Sequence, residues 1–127
     1  MQSAKPRAMV IDDSRAIRMI LSNTLSQAGF EVCHAANGVE ALMLIRQQPP
    51  LDLVLVDWNM PEMNGLEFVQ RVRADRRFDS VRLMMVTTET DIGQITRALD
   101  AGANEYVMKP FTREALEDKL RLVGLLL

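Results

Sequence analysis

Four apolar runs in this chain each stop at a polar side chain. Ala8-Met9-Val10-Ile11 leads into Asp12 and Asp13, Leu53-Val54-Leu55-Val56 into Asp57, Leu83-Met84-Met85-Val86 into Thr87, and Tyr106-Val107-Met108 into Lys109. Unbroken apolar stretches of this length suit parallel strands covered on both faces. In a parallel sheet the strand ends lie side by side, and that edge is where ligands bind. Three carboxylates, a hydroxyl and an ammonium then meet in one pocket. Close carboxylates repel one another unless a cation joins them. The pattern implies a metal and a negatively charged group to be handled.

Helical patterns separate the strands. Asp13 or Ser14 can cap a first helix whose stripe is Ile17, Ile20, Leu21 and Leu25, with Gly29 as its stop. Phe30 to His34 alternates, as an edge strand with one wet face does. Asn37-Gly38-Val39-Glu40 opens a second helix and Gln47-Gln48-Pro49-Pro50 ends it. The third strand is expected over Leu51 to Val56, followed by a loop and a helix with Leu66, Val69 and Val72 inward. The fourth helix carries an Ile92, Ile95, Leu99 stripe interrupted by Gly93, and Gly102 ends it. The fifth strand is Glu105 to Met108, and Thr112 caps a last helix with Leu116, Leu120 and Val123 inward.

No repeat, low-complexity tract or linker divides residues 1–127, so one domain is expected. Five βα units imply an α/β fold with a parallel sheet and right-handed crossovers. With the second strand at an edge, the expected architecture is a flavodoxin-like (βα)5 doubly wound five-stranded sheet, order 2-1-3-4-5. Its switch point lies between strands 1 and 3, where Asp12, Asp13 and Asp57 end up.

Composition removes several function classes. Apolar residues make up 48% of 127, enough for a packed core. A net charge of −2 supplies no basic face for nucleic acid. The single Cys33, read as a buried structural thiol, excludes an intramolecular disulfide and a cysteine-rich metal site. No apolar run approaches the roughly 20 residues that cross a bilayer. The first residues lack the apolar core of a signal peptide, so a cytoplasmic location is expected. Most of the nine methionines fall in apolar runs or the Asp57 loop and read as core filling. Arg73, Arg76 and Arg77 with Asp75 and Asp79 read as a solvated turn. His34, the only histidine, reads as a plain surface residue.

The stretches Val10-Ile11-Asp12-Asp13-Ser14, Asp57-Trp58-Asn59-Met60-Pro61, Met63-Asn64-Gly65-Leu66-Glu67, Met85-Val86-Thr87 and Tyr106-Val107-Met108-Lys109-Pro110-Phe111-Thr112 together resemble the receiver domains of two-component response regulators. The resemblance covers nearly the whole chain and is strongest to the single-domain chemotaxis regulators. It implies that Asp57 accepts a phosphoryl group as an acyl phosphate, chemistry open to a carboxylate nucleophile. It implies that Asp12, Asp13, Asp57 and the backbone carbonyl of Asn59 hold Mg2+, for which Mn2+ can substitute. An octahedron of oxygens completed by waters suits that ion. Lys109 would pair with Asp57 and then with a phosphoryl oxygen, after a cis Lys109-Pro110 bond. Thr87 would offer its hydroxyl, and Tyr106 resembles the aromatic that moves inward when the threonine is drawn to phosphate. Asn59 and Glu89 occupy positions that tune loss of the phosphoryl group.

The expected function is a phosphorelay switch rather than an enzyme, assisting its own phosphorylation and autodephosphorylation. The phosphodonor would be a CheA-like histidine kinase or a small acyl phosphate. Phosphorylation would change how the face of the fourth helix, fifth strand and fifth helix binds a downstream partner, such as a flagellar motor component. Ile95, Leu99, Ala103, Tyr106 and Lys119 are its candidate residues, and a monomer is expected. A receiver excised from a longer regulator, or an adaptor outside chemotaxis, is the alternative. Aspartyl-nucleophile phosphatases place a second Asp two residues after the nucleophile, where this chain has Asn59. A flavin module would need a Ser/Thr/Gly-rich loop where Asp12 and Asp13 stand. Thr88, Asp91-Ile92 and the apolar tail Gly124-Leu125-Leu126-Leu127 depart from the chemotaxis pattern, and the tail suggests self-association.

Overall fold

The computed structural model describes residues 5–47, 50–88 and 92–126. Five strands and five helices alternate: β1 (Arg7–Ile11), α1 (Arg15–Gln27), β2 (Glu31–Ala35), α2 (Gly38–Gln47), β3 (Leu53–Asp57), α3 (Gly65–Arg73), β4 (Arg82–Thr87), α4 (Ile92–Ala101), β5 (Glu105–Met108) and α5 (Arg113–Leu122), with one 3-10 turn at Arg76–Phe78. The strands form one sheet in the order β2-β1-β3-β4-β5. Every neighbouring pair is parallel, as the sequence implies.

Alternation along each strand sorts its side chains to two faces. Met9 and Ile11 join Val54, Val56, Leu83 and Met85 beneath α2, α3 and α4. Ala8 and Val10 join Leu53, Leu55, Met84 and Val86 beneath α1 and α5. β3 is buried along its whole length, which its unbroken apolar run anticipates.

The helix ends follow capping chemistry. Ser14, Asn64 and Thr112 accept backbone N–H groups at the starts of α1, α3 and α5. Of the two candidate caps for α1, the structure uses Ser14. Gly29, Gly102 and Gly124 take positive φ angles just past α1, α4 and α5. At each, the next residue's N–H returns to a carbonyl of the last turn, as Phe30 does to Leu25, Ala103 to Ala98 and Leu125 to Leu120. This closure draws the apolar residue after the glycine back onto its own helix.

Several expectations change. β3 begins at Leu53 rather than Leu51; just before it, the Asp52 carboxylate accepts the Arg7 N–H at 2.8 Å. Ile20 is 59% exposed; the inward position goes to Ser22, which pairs with His34 Nε2 at 3.1 Å. In α4 the bulky stripe does not reach the core. Ile92 and Leu99 are exposed and Ala98 is the one buried residue of the helix. Cys33 is half-buried rather than buried, and that burial pushes its thiol pKa up. Met9, Met63, Met84 and Met85 fill the core, whereas Met19, Met43 and Met108 are exposed. At the tail, the turn at Gly124 packs Leu125 and Leu126 against the α1–α5 side of the core.

Arg73 is the largest departure. It is no part of a solvated turn. Its guanidinium donates to the carbonyls of Gly102 (2.9 Å), Phe78 (2.7 Å) and Val81 (2.6 Å) and to Asn104 Oδ1 (2.9 Å). One side chain thereby ties the end of α3 to the entry of β4 and the exit of α4. Among the described residues, no helix is long and apolar enough to cross a membrane.

Candidate functional site

The sheet register builds the site. Ile11 pairs with Val56, so the residues that follow, Asp12 and Asp57, leave two neighbouring strands together. Both are buried, at 2% and 7% exposure, and Asp13 is exposed beside them. One carboxylate oxygen from each of the three lies within 4.8 Å of the others. Asp12 is fixed by the Ser14 N–H, which donates to its Oδ1 at 2.9 Å. Arg18 donates to its backbone carbonyl at 2.6 Å.

Lys109 enters from the end of β5. Its backbone N–H donates to the Thr87 carbonyl at 2.8 Å, and the Lys109-Pro110 peptide bond is cis. The ammonium Nζ lies 3.1 Å from Asp12 Oδ2 and 3.6 Å from Asp57 Oδ1. Burial pushes the Asp57 carboxyl above its ordinary value, and the Asp12 carboxylate pushes it further. Lys109 and the Asn59 N–H, which donates to Asp57 Oδ1 at 3.4 Å, pull the other way.

Three carboxylates against one ammonium leave an excess of negative charge in a partly buried pocket. All the donors are hard oxygens, the set that suits Mg2+, Ca2+ or Mn2+ over softer metals. Exposed Asp13 leaves one side open to water, which Mg2+ keeps in its shell. The residues present therefore fit a divalent cation.

Gly65 brings α3 hard against the strand end. A Cβ at that position would stand 2.6 Å from the Asp57 carbonyl and 2.7 Å from Met85 Cε. Its N–H donates to the Trp58 carbonyl at 2.9 Å, and the Trp58 N–H donates to the Val86 carbonyl at 3.1 Å. The backbone carrying Asp57 is thus held between β4 and α3.

Thr87 ends β4, buried at 3% exposure. A narrow crevice behind it is lined by Trp58, Met85, Gln94, Ile95, Leu99 and Tyr106. Tyr106 is half-buried there, and Lys119 Nζ stands 4.4 Å over its ring while pairing with Glu105 at 3.1 Å.

The structure thus gathers Asp12, Asp13, Asp57 and Lys109, with Thr87 on the adjoining strand end. Asn59 is exposed beside them and Glu89 lies outside the described residues. Ile95, Leu99, Tyr106 and Lys119 present themselves at the α4–β5–α5 side, Leu99 at 40% exposure. Ala103 does not, and its placement on that face is corrected. At 7% exposure it belongs to the core, drawn in by the turn at Gly102. His34 is exposed on β2, away from the acids. Sequence reasoning missed Arg73 and the contact made by Gly65; only the latter left a signal, a glycine where a helix begins.

Comparison with known proteins gives one consistent result. The model of the Response regulator receiver domain family matches residues 8–121. Chemotaxis protein CheY1 of Helicobacter pylori (strain J99) is 45% identical over 118 residues, covering 92% of this chain and 95% of that protein. The CheY homolog of Campylobacter jejuni (serotype O:23/36) is 44% identical over 115 residues, covering 90% of this chain and 88% of its own length. The solved structure of Vibrio cholerae chemotaxis protein CheY4 at low pH superposes with a TM-score of 0.88 at 38% identity, covering 94% of this chain and 99% of that one.

Proposed function

This chain belongs to the response regulator receiver domain family, and on that premise we propose that it is a chemotaxis-type switch whose phosphoacceptor is Asp57. The observation that carries the reading is the position of Lys109 Nζ between Asp12 and Asp57, in a pocket of three clustered carboxylates. Asp57 is the carboxylate set to attack phosphorus. It is the last residue of the central strand, pinned by its neighbours and approachable from the side where Asp13 is exposed.

Asp12, Asp13 and Asp57, with the Asn59 carbonyl, are the residues that would hold Mg2+. The ion supplies positive charge to balance the incoming phosphoryl oxygens. Lys109 stabilises charge that develops on those oxygens, as a fixed cation in a partly buried site does. Thr87 donates its hydroxyl to the same group. Once Thr87 is drawn towards Asp57, the crevice behind it opens and Tyr106 repacks. The α4–β5–α5 side then presents a changed surface to a downstream protein. Asn59 and Glu89 tune how fast water removes the phosphoryl group. A CheA-like histidine kinase is the natural donor, and a flagellar motor component a natural target, for a cytoplasmic protein that resembles chemotaxis regulators throughout its length.

Trp58, buried next to Asp57, reports on this chemistry. Its fluorescence should change saturably with Mg2+ and again with beryllofluoride, a stable phosphoryl mimic. The second response should vanish in Asp57→Asn. A beryllofluoride response that persists in that variant would remove Asp57 from the role.

A further inference from the structure

Asp13 is the acid of the pocket with the least to hold it. It is exposed, and among the described residues no hydrogen bond or ion pair reaches its carboxylate. The ion pairs of the pocket run from Lys109 to Asp12 and Asp57. Even so, an Asp13 carboxylate oxygen stands within 4.8 Å of one from each of the other two acids. A side chain without partners is placed by its backbone, so the turn that carries Asp13 must itself be fixed. Contacts made by Asp12 fix it. The Asp12 N–H donates to the Ala35 carbonyl at 3.2 Å, and Asp12 Oδ1 accepts the Ser14 N–H at 2.9 Å. The remaining contact is on the peptide that joins Asp12 to Asp13. Its carbonyl lies past the end of β1 and ahead of α1, and it accepts the Arg18 guanidinium at 2.6 Å. A bond from an ionised donor is about twice as strong as a neutral one. Arg18 is anchored in turn by its own N–H, which donates to the Ser14 carbonyl at 3.0 Å. Its side chain thereby bridges the first turn of α1 to the peptide plane from which Asp13 departs.

We propose that Arg18 is a positioning residue for the divalent cation: by gripping the Asp12–Asp13 peptide it aims the Asp13 carboxylate at the ion. The proposal rests on the Mg2+ binding proposed above and names what aligns the most exposed of its ligands. Groups one step behind metal ligands commonly set affinity by roughly 10–100-fold. Charge makes the assignment testable by its sign. Arg18 is a cation bonded to the backbone of Asp12, beside three carboxylates. By charge alone, its loss would tighten Mg2+ binding. Loss of alignment weakens it.

The test is isothermal titration with Mg2+ alone, for the wild type, Arg18→Met, Asp13→Asn and the double variant, at a temperature where circular dichroism shows each one folded. Arg18→Met keeps an apolar stem and removes the donor. Arg18→Gln, uncharged and shorter by two bonds, takes its place should the methionine variant melt below the assay temperature. Either Arg18 variant should bind Mg2+ roughly tenfold more weakly. The double variant should bind no more weakly than Asp13→Asn, because Arg18 acts through Asp13. Unchanged or tighter Mg2+ binding in a folded Arg18 variant would overturn the proposal, whatever its melting midpoint, as would losses that multiply in the double variant. Failure of the underlying reading looks different: the wild type itself would show no saturable Mg2+ binding, or Asp13→Asn would bind the ion equally well, and the proposal would fall with it.

Discussion

The Lys109 ammonium stands closer to Asp12, at 3.1 Å, than to Asp57, at 3.6 Å. Lys109 therefore pairs more closely with Asp12, the more deeply buried of the two acids, while remaining within reach of Asp57. Its removal should act in two opposite directions. Lys109→Met takes a positive charge from beside the carboxylates, so Mg2+ should bind more tightly, by roughly tenfold. Phosphorylation by a small acyl phosphate should slow by about 100-fold, the usual loss when a preorganised charge is deleted. Isothermal titration and phosphate labelling separate the two effects, and weaker Mg2+ binding would contradict the assigned place of the ammonium.

Asp57 should burden the fold when no divalent ion is present. Burial, then the Asp12 carboxylate, raises its pKa above the ordinary 3.8. A raised folded-state pKa means that the folded chain holds this proton more tightly than the unfolded chain. The associated stability is complete below the unfolded carboxylate range and is lost as pH rises through the folded value. With Mg2+ chelated at neutral pH, Asp57→Asn should raise the thermal midpoint by a few degrees, on the order of 1 kcal/mol. The gap should close as the pH falls below the carboxylate range. Melting curves across pH decide it, and a variant that melts lower at neutral pH would reverse the sign.

Gly65→Ala should harm the fold and the site together. Its Cβ would meet the Asp57 carbonyl at 2.6 Å, and a backbone atom has no room to turn away. Overpacking of this kind costs about 2 kcal/mol. The displaced strand end should also slow phosphorylation at temperatures where the variant is fully folded. Denaturant titration and labelling of the same sample read both quantities.

Arg73→Ala should be among the most destabilising single changes away from the core. It removes the guanidinium donors from the carbonyls of Gly102, Phe78 and Val81, of which Phe78 keeps the Val81 N–H at 3.2 Å. Bonds to a charged donor each contribute about 1.5–3 kcal/mol, and water replaces part of that. A net loss of about 3 kcal/mol in urea unfolding is expected. Arg73→Lys should recover little, since an ammonium cannot span carbonyls spread across a planar fork.

Asp12, Asp57, Thr87 and Lys109 were legible in the sequence because each interrupts an apolar run, and the sheet turns linear position into adjacency. β5 matched its expected span, Glu105–Met108, for the same reason. Arg73 was illegible because four of its five partners are backbone carbonyls, which leave no trace in residue identity. Ala103 was placed on the surface by its neighbours in the chain, although the Gly102 before it predicts a turn that pulls the next residue inward. Ile20 shows the limit of periodicity: a stripe at helical spacing gives a direction, while the width of the buried strip is set by what packs opposite.

α4 fully buries only Ala98, with Ala101 half-buried against the core beside it, whereas β1 and β3, which carry the acids, are walled in on both faces. Stiffness is thus unevenly distributed. On the proposed function, the acid-bearing half should take up phosphate with little movement, and the deformation should fall on the more lightly packed half. A receiver built this way would need no dedicated hinge, because the boundary between firmly and lightly packed regions would set which side moves.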